Sequence, residues 1–458
     1  MPVFSDLRYL SHNEPVQELI LHNREFVQLF SKTCQLFMCI NPNKWAVTSY
    51  VEYETDAWIS VFNVTLLLSR VIKVYRDAFS RASPAELVAA ISTVMHDIPL
   101  VCALASDRLD REKFQPIQFH DIIFGEQTYS IVDFDVPYGW VSFHHSLPWL
   151  LAELFKSVDI LTEENLRTVG LGSIRDICLR NASEQAVLTI IDFPLRGAYN
   201  PPTFQRIAPM CPTSVGDDCL DSNRPIGTEW FRDSQTTPLL QRLHVPRALL
   251  RLGLFILQIA LVIQDPNLVF VSILDRFQLL QYFSVAIIHE GYEGPHLSSM
   301  VEELFYTLIT IVSEVANATK MSLPAQVRRE IVHALAMEPC SYTDLTERVA
   351  GRMAEDVCSE RVLSGTANFK APESTADFWM YELKDEVYDE VNPFYFHYAR
   401  NRREEVENVL KARLKKKNPS PGNPNLDPVI IPKPWKCEVG RFKNLHAVFE
   451  SDLLLQIV

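Results

Sequence analysis

Apolar residues recur along most of this chain at intervals of three and four. Leu19, Ile20, Phe26, Val27, Leu29 and Phe30 keep that spacing, as do Phe62, Leu66, Leu67, Val71 and Ile72. The region 13–100 is therefore predicted to be helical, punctuated by Asn41-Pro42-Asn43. The interval shortens over 117–145, where FHDIIF, YSIVDFDV and WVSFHH predict brief strands or extended pieces between turns. Helical spacing resumes over 146–196, in LPWLLAELFKSVDIL and EQAVLTIIDFPLR. Residues 197–240 then hold six prolines and three glycines with no sustained period. An aperiodic run of that length is uncommon inside a packed domain. It reads as an insertion loop, or as sequence outside the fold such as a mispredicted exon. Helical spacing returns over 246–283 and 298–316.

A compact pattern follows. Residues 325–337 make an amphipathic helix with Val327, Ile331, Ala334 and Leu335 on its buried side, stopped by Pro339. Ser341, with Asp344 three residues on, resembles a capping box and opens a second helix over 342–350. Gly351 ends that helix, and 352–364 forms a third. FKAP at 369–372, a polar turn at 373–377 and FWMYEL at 378–383 suit a two-stranded hairpin. Three short helices and a hairpin make the winged form of helix-turn-helix. Past Tyr398 a charged helix runs to about Lys417, ended by the linker NPSPGNPNLDP. The predicted fold class is mainly α: a helical scaffold with minor strands, followed by a winged-helix domain with a small β-hairpin. The segments are 1–196 (helical scaffold), 197–245 (irregular insertion or gene-model artefact), 246–320 (scaffold continued), 325–417 (winged helix with charged helix) and 418–458 (linker and the start of a truncated helical region). SDLLLQIV at the end is an apolar helical start without a cap, so the natural domain is expected to continue past Val458.

Composition narrows the function classes. The 458 residues suffice for two or three domains, and 47% hydrophobic with 22% charged residues is ordinary for a globular protein. A net charge of −14 opposes bulk attraction to nucleic acid or an anionic membrane. The greasiest run, LGLFILQIALVI at 252–263, follows Arg251 and contains Gln258; it is too short for a hydrocarbon layer of ~30 Å and reads as a buried core helix. MPVFSDLRYLSHNE lacks the basic and apolar regions of a signal peptide. Cysteines at 34, 39, 102, 178, 211, 219, 340, 358 and 437 form no C-x-x-C. An odd number so dispersed reads as reduced thiols, hence a cytosolic or nuclear protein.

Candidate chemistry is sparse. A winged helix invites a DNA-binding reading. Residues 328–398, however, carry seven Lys and Arg against 14 Asp and Glu, and the third helix carries Glu355, Asp356 and Glu360 against Arg352 and Arg361. Phosphate contacts need cations, so protein docking or a structural role is the better reading. Lys411, Arg413, Lys415, Lys416 and Lys417 read as a solvated helix end complementing the macrodipole, with a nuclear-import or acidic-partner patch as the alternative. His144 and His145, taken as strand neighbours, face opposite sides and make no metal site. Cys34 and Cys39 share no helix face well and read as structurally buried, and His333 reads as a core-edge histidine rather than a general base. Asp133 with Asp135, and Asp385 with Glu386, read as solvated faces. No G-x-S-x-G, P-loop or zinc-finger spacing occurs. No catalytic, cofactor-binding or metal residue is assigned.

The stretches RREIVHALAMEPCSYTDLTERV, NFKAP and YELKDEVYDEVNPFYFHYARNRREEVE resemble the winged-helix region of the UBR-type N-recognins. These are large E3 ubiquitin ligases that select substrates by destabilising N-terminal residues. DLRYLSHNE, NPNKWAVTSYVEYETDAWISVFN, DFDVPYGWVSFHHSLPWLLAEL, LQIALVIQDPNLVFVSILDRFQLLQYF and ESDLLLQIV resemble other parts of the same proteins' central region. Residues 197–245 depart from that pattern. The family's zinc-binding UBR box, its second degron-binding domain and its RING are expected to be absent from this chain, so zinc belongs to those parts and no cofactor is expected here. The resemblance implies the central scaffold of an E3 ubiquitin-protein ligase of the N-degron (N-end rule) pathway. Such a ligase promotes ubiquitin transfer from a conjugating enzyme to substrates marked for proteasomal degradation. Conjugating enzyme and N-degron substrates would be met through other parts of the full-length protein; nucleic acid and membrane are not expected partners. The chain alone is expected to be inactive. The alternative is a non-catalytic adaptor or structural winged-helix protein, and after it a nucleic-acid binder.

Overall fold

The computed structural model describes residues 2–40, 43–44, 56–108, 117–124, 126–134, 140–141, 144–179, 187–192, 195, 244–283, 294–314, 316–349, 359–371, 379–396, 398, 400–417, 428–430, 440–443 and 445–457. It divides into two units: Met1–Phe204 with Leu250–Val312 and Lys436–Val458, and Gln205–Leu249 with Ser313–Trp435. The irregular segment 197–245 lies outside the described residues apart from the helical 244–245.

The first unit is helical. Its longest early helices, Asp56–Phe79 and Pro84–Arg108, bury Leu68, Ile72 and Phe79 on the first and Leu87, Ile91 and Met95 on the second, and both pack on the helix Ser146–Phe155. Ser83 and Glu86 form the reciprocal cap of the second. The Ser83 N–H donates to Glu86 Oε2 at 2.8 Å, and the Glu86 N–H donates to Ser83 Oγ at 3.4 Å. The spacing did not predict a helix at the start, yet Pro2–Ser11 is one. Every residue of the helix Ser146–Phe155 is buried, Glu153 included. Lys156 Nζ lies 2.6 Å from Glu153 Oε1, and burial lowers the Lys156 pKa against the pull of that carboxylate.

The run 252–263 lies within the helix His244–Ile263, and Leu254 to Ala260 are buried without interruption. Among the described residues no helix is long and apolar enough to cross a membrane. The polar interruption has a use: buried Gln258 donates from Nε2 to the Ile311 carbonyl at 2.6 Å, tying this helix to Gly294–Ser313. Asp265-Pro266 starts the next helix, Pro266–Arg276. The Asp265 carboxylate accepts the Asn267 N–H at 3.0 Å, and proline fits the first turn, where no N–H partner exists.

Three two-stranded antiparallel sheets complete the described structure. FHDIIF and YSIVDFDV supply β2 (Gln118–Phe124) and β3 (Gln127–Asp133), paired from Gln118↔Asp133 to Phe124↔Gln127. WVSFHH is only briefly a strand: β4 (Trp140–Val141) pairs with β1 (Asn43–Lys44). Strands β5 (Ala367–Lys370) and β6 (Met380–Leu383) belong to the second unit.

Arg276 gathers the first unit. It closes the helix Pro266–Arg276, and its Nη2 donates to Asp192 Oδ1 at 2.9 Å with both side chains buried. Its guanidinium lies 4.7 Å from the centroid of the Phe134 ring. Removing one partner of such a pair strands a charge in a low-dielectric interior, at a cost of ~3–5 kcal/mol. Asp192→Asn and Arg276→Met are each expected to destabilise this unit by about that amount in urea unfolding. The double variant should recover part of the loss. A single-variant change below about 1 kcal/mol would contradict the assignment.

Candidate functional site

The second unit is built as a winged helix. Its helices are Leu323–Leu335, Tyr342–Arg348 and Ser359–Thr366, followed by the hairpin β5–β6. The first begins two residues before the spacing indicated, because Pro324 sits favourably in its first turn. The second is capped as read: the Asp344 N–H donates to Ser341 Oγ at 3.1 Å. The third ends at Thr366 rather than 364, and residues 350–358 lie outside the described part. Cys340 pairs in a single bridge with Tyr381, so β6 lies between that bridge and β5. Val327, Ile331, Leu335, Leu345, Leu363, Ala367 and Leu383 share one buried core.

His333 is fully committed to packing. Its Nδ1 lies 2.7 Å from the Arg329 carbonyl, which only accepts, so Nδ1 carries the proton. Its Nε2 accepts the Asn392 N–H at 3.1 Å. Tyr395 stacks on the ring at 4.0 Å, and the Tyr398 hydroxyl donates to the His333 carbonyl at 2.7 Å. Beside it Arg329 Nη1 donates to buried Glu314 at 2.8 Å, with its guanidinium 5.0 Å from the Tyr395 centroid. Burial, then the charge of Arg329, pushes the His333 pKa down to about 3. With both ring nitrogens used in the neutral tautomer, His333 has no proton site to offer a substrate.

The charged helix Arg400–Lys417 is more than a solvated end. Arg413 Nη1 donates to Asp385 Oδ1 at 2.6 Å, and its guanidinium lies 3.4 Å from the centroid of the Tyr388 ring. Lys417 Nζ lies 3.5 Å from Asp389, and Lys411 lies 3.6 Å from Glu407. The acidic turn Asp385–Glu390 thus receives cations from the helix, and Arg328 adds a two-pronged contact to Glu390 at 2.7 and 3.1 Å. The Arg413 hydrogen bond holds the Asp385 carboxyl below its usual range. The basic run is spent largely within its own unit.

The remaining sequence candidates are structural. His144 and His145 are not strand neighbours. Both are buried just before the helix Ser146–Phe155, His145 at its N-cap position, and the His144 carbonyl accepts the Cys39 N–H at 2.8 Å. Burial lowers the His144 pKa to about 4. Cys34 and Cys39 are buried free thiols, Cys39 lying past its helix at φ 55°, and burial pushes the Cys34 thiol up. Asp133 lies 3.8 Å from His120; Asp135 is outside the described residues. Among the described residues no group of three or more His, Cys, Asp or Glu can hold a metal ion.

The reading from sequence passed over an aromatic surface on the wing. Phe369 and Trp379 stack at 4.9 Å with planes 6° apart, while each stays more than half exposed. Tyr381 lies 5.2 Å from Phe369, and Tyr342 lies 6.2 Å from Tyr381. The available signal was the directly opposed pair Phe369↔Tyr381 with Trp379 two residues from Tyr381.

Comparison with known proteins agrees with both units. The profile of the E3 ubiquitin-protein ligase UBR1-like winged-helix domain matches residues 326–425, and that of the UBR1/2/3-like ARM repeat domain matches residues 1–199. The chain is 24% identical over its whole length to E3 ubiquitin-protein ligase ubr1 of Schizosaccharomyces pombe, covering 21% of that protein. It is 28% identical over 213 residues to human E3 ubiquitin-protein ligase UBR2 (44% of this chain, 12% of the relative). It is also 28% identical over 164 residues to human E3 ubiquitin-protein ligase UBR1 (34% of this chain, 9% of the relative).

The tautomer of His333 gives a pH test. Its folded pKa lies below the 6.5 of a histidine in the unfolded chain. Between pH 6.5 and 3 the unfolded state therefore binds a proton that the folded state refuses, and stability falls as pH falls, by up to ~1.4 kcal/mol per pH unit. His333→Gln should flatten this acid limb relative to the parent when unfolding is followed across that window. Superimposable slopes would show that His333 is not held neutral.

Proposed function

We propose, from the premise that this chain belongs to the UBR-type family of E3 ubiquitin-protein ligases, that it is the central scaffold of such a ligase in the N-degron pathway. In this reading its helical unit and winged helix hold degron-binding and RING parts of the full-length protein at a productive spacing. The ligase step transfers ubiquitin from the thioester of a conjugating enzyme to a substrate lysine. Its acceleration comes from proximity rather than from a side chain of this region. The protein would act in the cytosol or nucleus, consistent with the buried free thiols at Cys34, Cys39, Cys178 and Cys340.

The observation that carries the reading is the commitment of ionisable groups to packing. Arg276 is tied to Asp192, Arg329 to Glu314 and Lys156 to Glu153, while both nitrogens of His333 are occupied. Buried groups held to one another in this way fix how the helices meet. Zinc, which the resemblance assigns to other parts of these ligases, finds no group of three or more His, Cys, Asp or Glu among the described residues.

Two measurements test this. In a discharge assay, the chain alone should leave the rate of ubiquitin release from a charged conjugating enzyme unchanged. Replacing the matched region of the Schizosaccharomyces pombe relative with this chain should preserve degradation of an N-degron reporter. Acceleration by the isolated chain, or a stable, normally expressed chimaera that no longer degrades the reporter, would overturn the scaffold assignment.

A further inference from the structure

We propose that His22 is a proton-dependent clasp that holds the helix Glu14–His22 to the start of the helix Pro84–Arg108, so that the end of the first helix loosens when the ring loses its proton. The inference is independent of the ligase reading.

The contacts fix the charge of the ring. His22 Nδ1 lies 2.7 Å from Glu86 Oε1, and His22 Nε2 lies 2.9 Å from Glu18 Oε2. An ionised carboxylate only accepts, and a neutral imidazole has a single N–H to give. Both contacts are therefore made together only by the imidazolium. His22 also stands in the last turn of its helix, where the negative pole of the macrodipole favours a cation. The hydrogen bond to Glu86 above all, against the opposing effect of desolvation and with help from Glu18, raises the His22 pKa above the 6.5 of an unfolded histidine.

The surroundings explain why one proton matters. Glu86 is 64 residues away along the chain and is itself held, since its Oε2 accepts from both the Ser83 N–H and the Ser83 hydroxyl at 2.8 Å. Glu14, Glu18 and His22 recur at every fourth position and share one helix face. Arg81 meets that same face: its Nη1 lies 3.2 Å from Glu14 and 3.1 Å from Glu18 Oε1, and its Nη2 donates to Gln17 at 2.9 Å. Among the described residues Glu86 and Glu18 are the charges that act on the ring, with Arg81 on the far oxygen of Glu18. The face is thus held by a cation that does not titrate near neutrality and by one that does. Directly after His22 the helix breaks at Asn23, an extended residue (φ −112°, ψ 102°) that ends this helix and caps the next, Arg24–Leu36. Deprotonation turns a ring lone pair toward a carboxylate and releases the helix end beside that break, while Arg81 keeps the other end in place. Because the folded ring holds its proton more tightly than the unfolded one, the clasp is complete below pH 6.5 and is lost as pH rises through the folded pKa.

The test follows amide hydrogen exchange of residues 14–22 in the full chain from about pH 5.5 to 8.5, corrected for the intrinsic rate. Protection should fall roughly two- to fivefold across this window, and by less at high salt, because the contacts are exposed to solvent. His22→Gln, which keeps hydrogen-bonding capacity without titrating, should give low protection that does not vary with pH. His22→Lys keeps its charge throughout and should stay protected. In parallel, the His22 ring signal in the nuclear magnetic resonance spectrum, identified by its loss in His22→Gln, should titrate above pH 6.5. A ring that titrates at or below 6.5, a fall in protection in His22→Lys, or the same pH course in His22→Gln as in the parent would each overturn the proposal.

Discussion

A charge taken out of water must meet its opposite or be neutralised, and both units of this protein are organised around that constraint. In the first, Arg276 would be untenable without Asp192, and the aromatic ring of Phe134 covers the guanidinium. In the second, the pair Arg329–Glu314 presses a positive charge against the site of His333, which the neutral imidazole tolerates and the protonated one would not. The Arg276–Asp192 pair joins residues 84 apart in the chain, so it fixes topology as well as balancing charge. Desolvation makes them poor sources of net stability. Their effect is selective: an arrangement that parts Arg276 from Asp192 leaves two buried ions alone.

The same accounting governs the cations of the winged helix. Here Arg328, Arg413 and Lys417 point into contacts with Glu390, Asp385 and Asp389 of the neighbouring acidic turn. The helix Arg400–Lys417 is strongly basic at its end, yet the turn beside it supplies the partners. Taken alone, the basic run looks like a recognition element. Paired with 385–390, it ties the charged helix to the acidic turn of its own unit.

Helix starts and buried stripes were legible in the amino-acid order because their physics is local. Ser341 with Asp344 acts within one turn and behaves as its spacing indicates. The strands β2 and β3 were readable from the shortened interval for the same reason, though not their pairing. WVSFHH was less so: two histidines with strand-like spacing become a buried approach to a helix, because the His144 carbonyl is claimed by the Cys39 N–H from over a hundred residues away. The surroundings of His333 were invisible for a related reason. Tyr395, Tyr398 and Asn392 reach it from beyond the hairpin, and no periodicity encodes that closure. The wing aromatics lay in plain view in the sequence, but whether they fall inside or outside the core depends on where the hairpin overruns it.

The segments that resemble the ligase family carry much of this internal satisfaction. LQIALVI contributes Gln258, which closes a carbonyl of a neighbouring helix; DPNLVF contributes the Asp265 cap; ILDRF contributes Arg276, which pairs with Asp192. A motif built from caps, buried amides and paired ions specifies how helices meet. It needs no reactive group to be distinctive, since each of its polar members loses its purpose if its partner moves by a few ångströms. A long and specific resemblance can therefore rest on how helices meet, which is the arrangement the proposed scaffold role calls for.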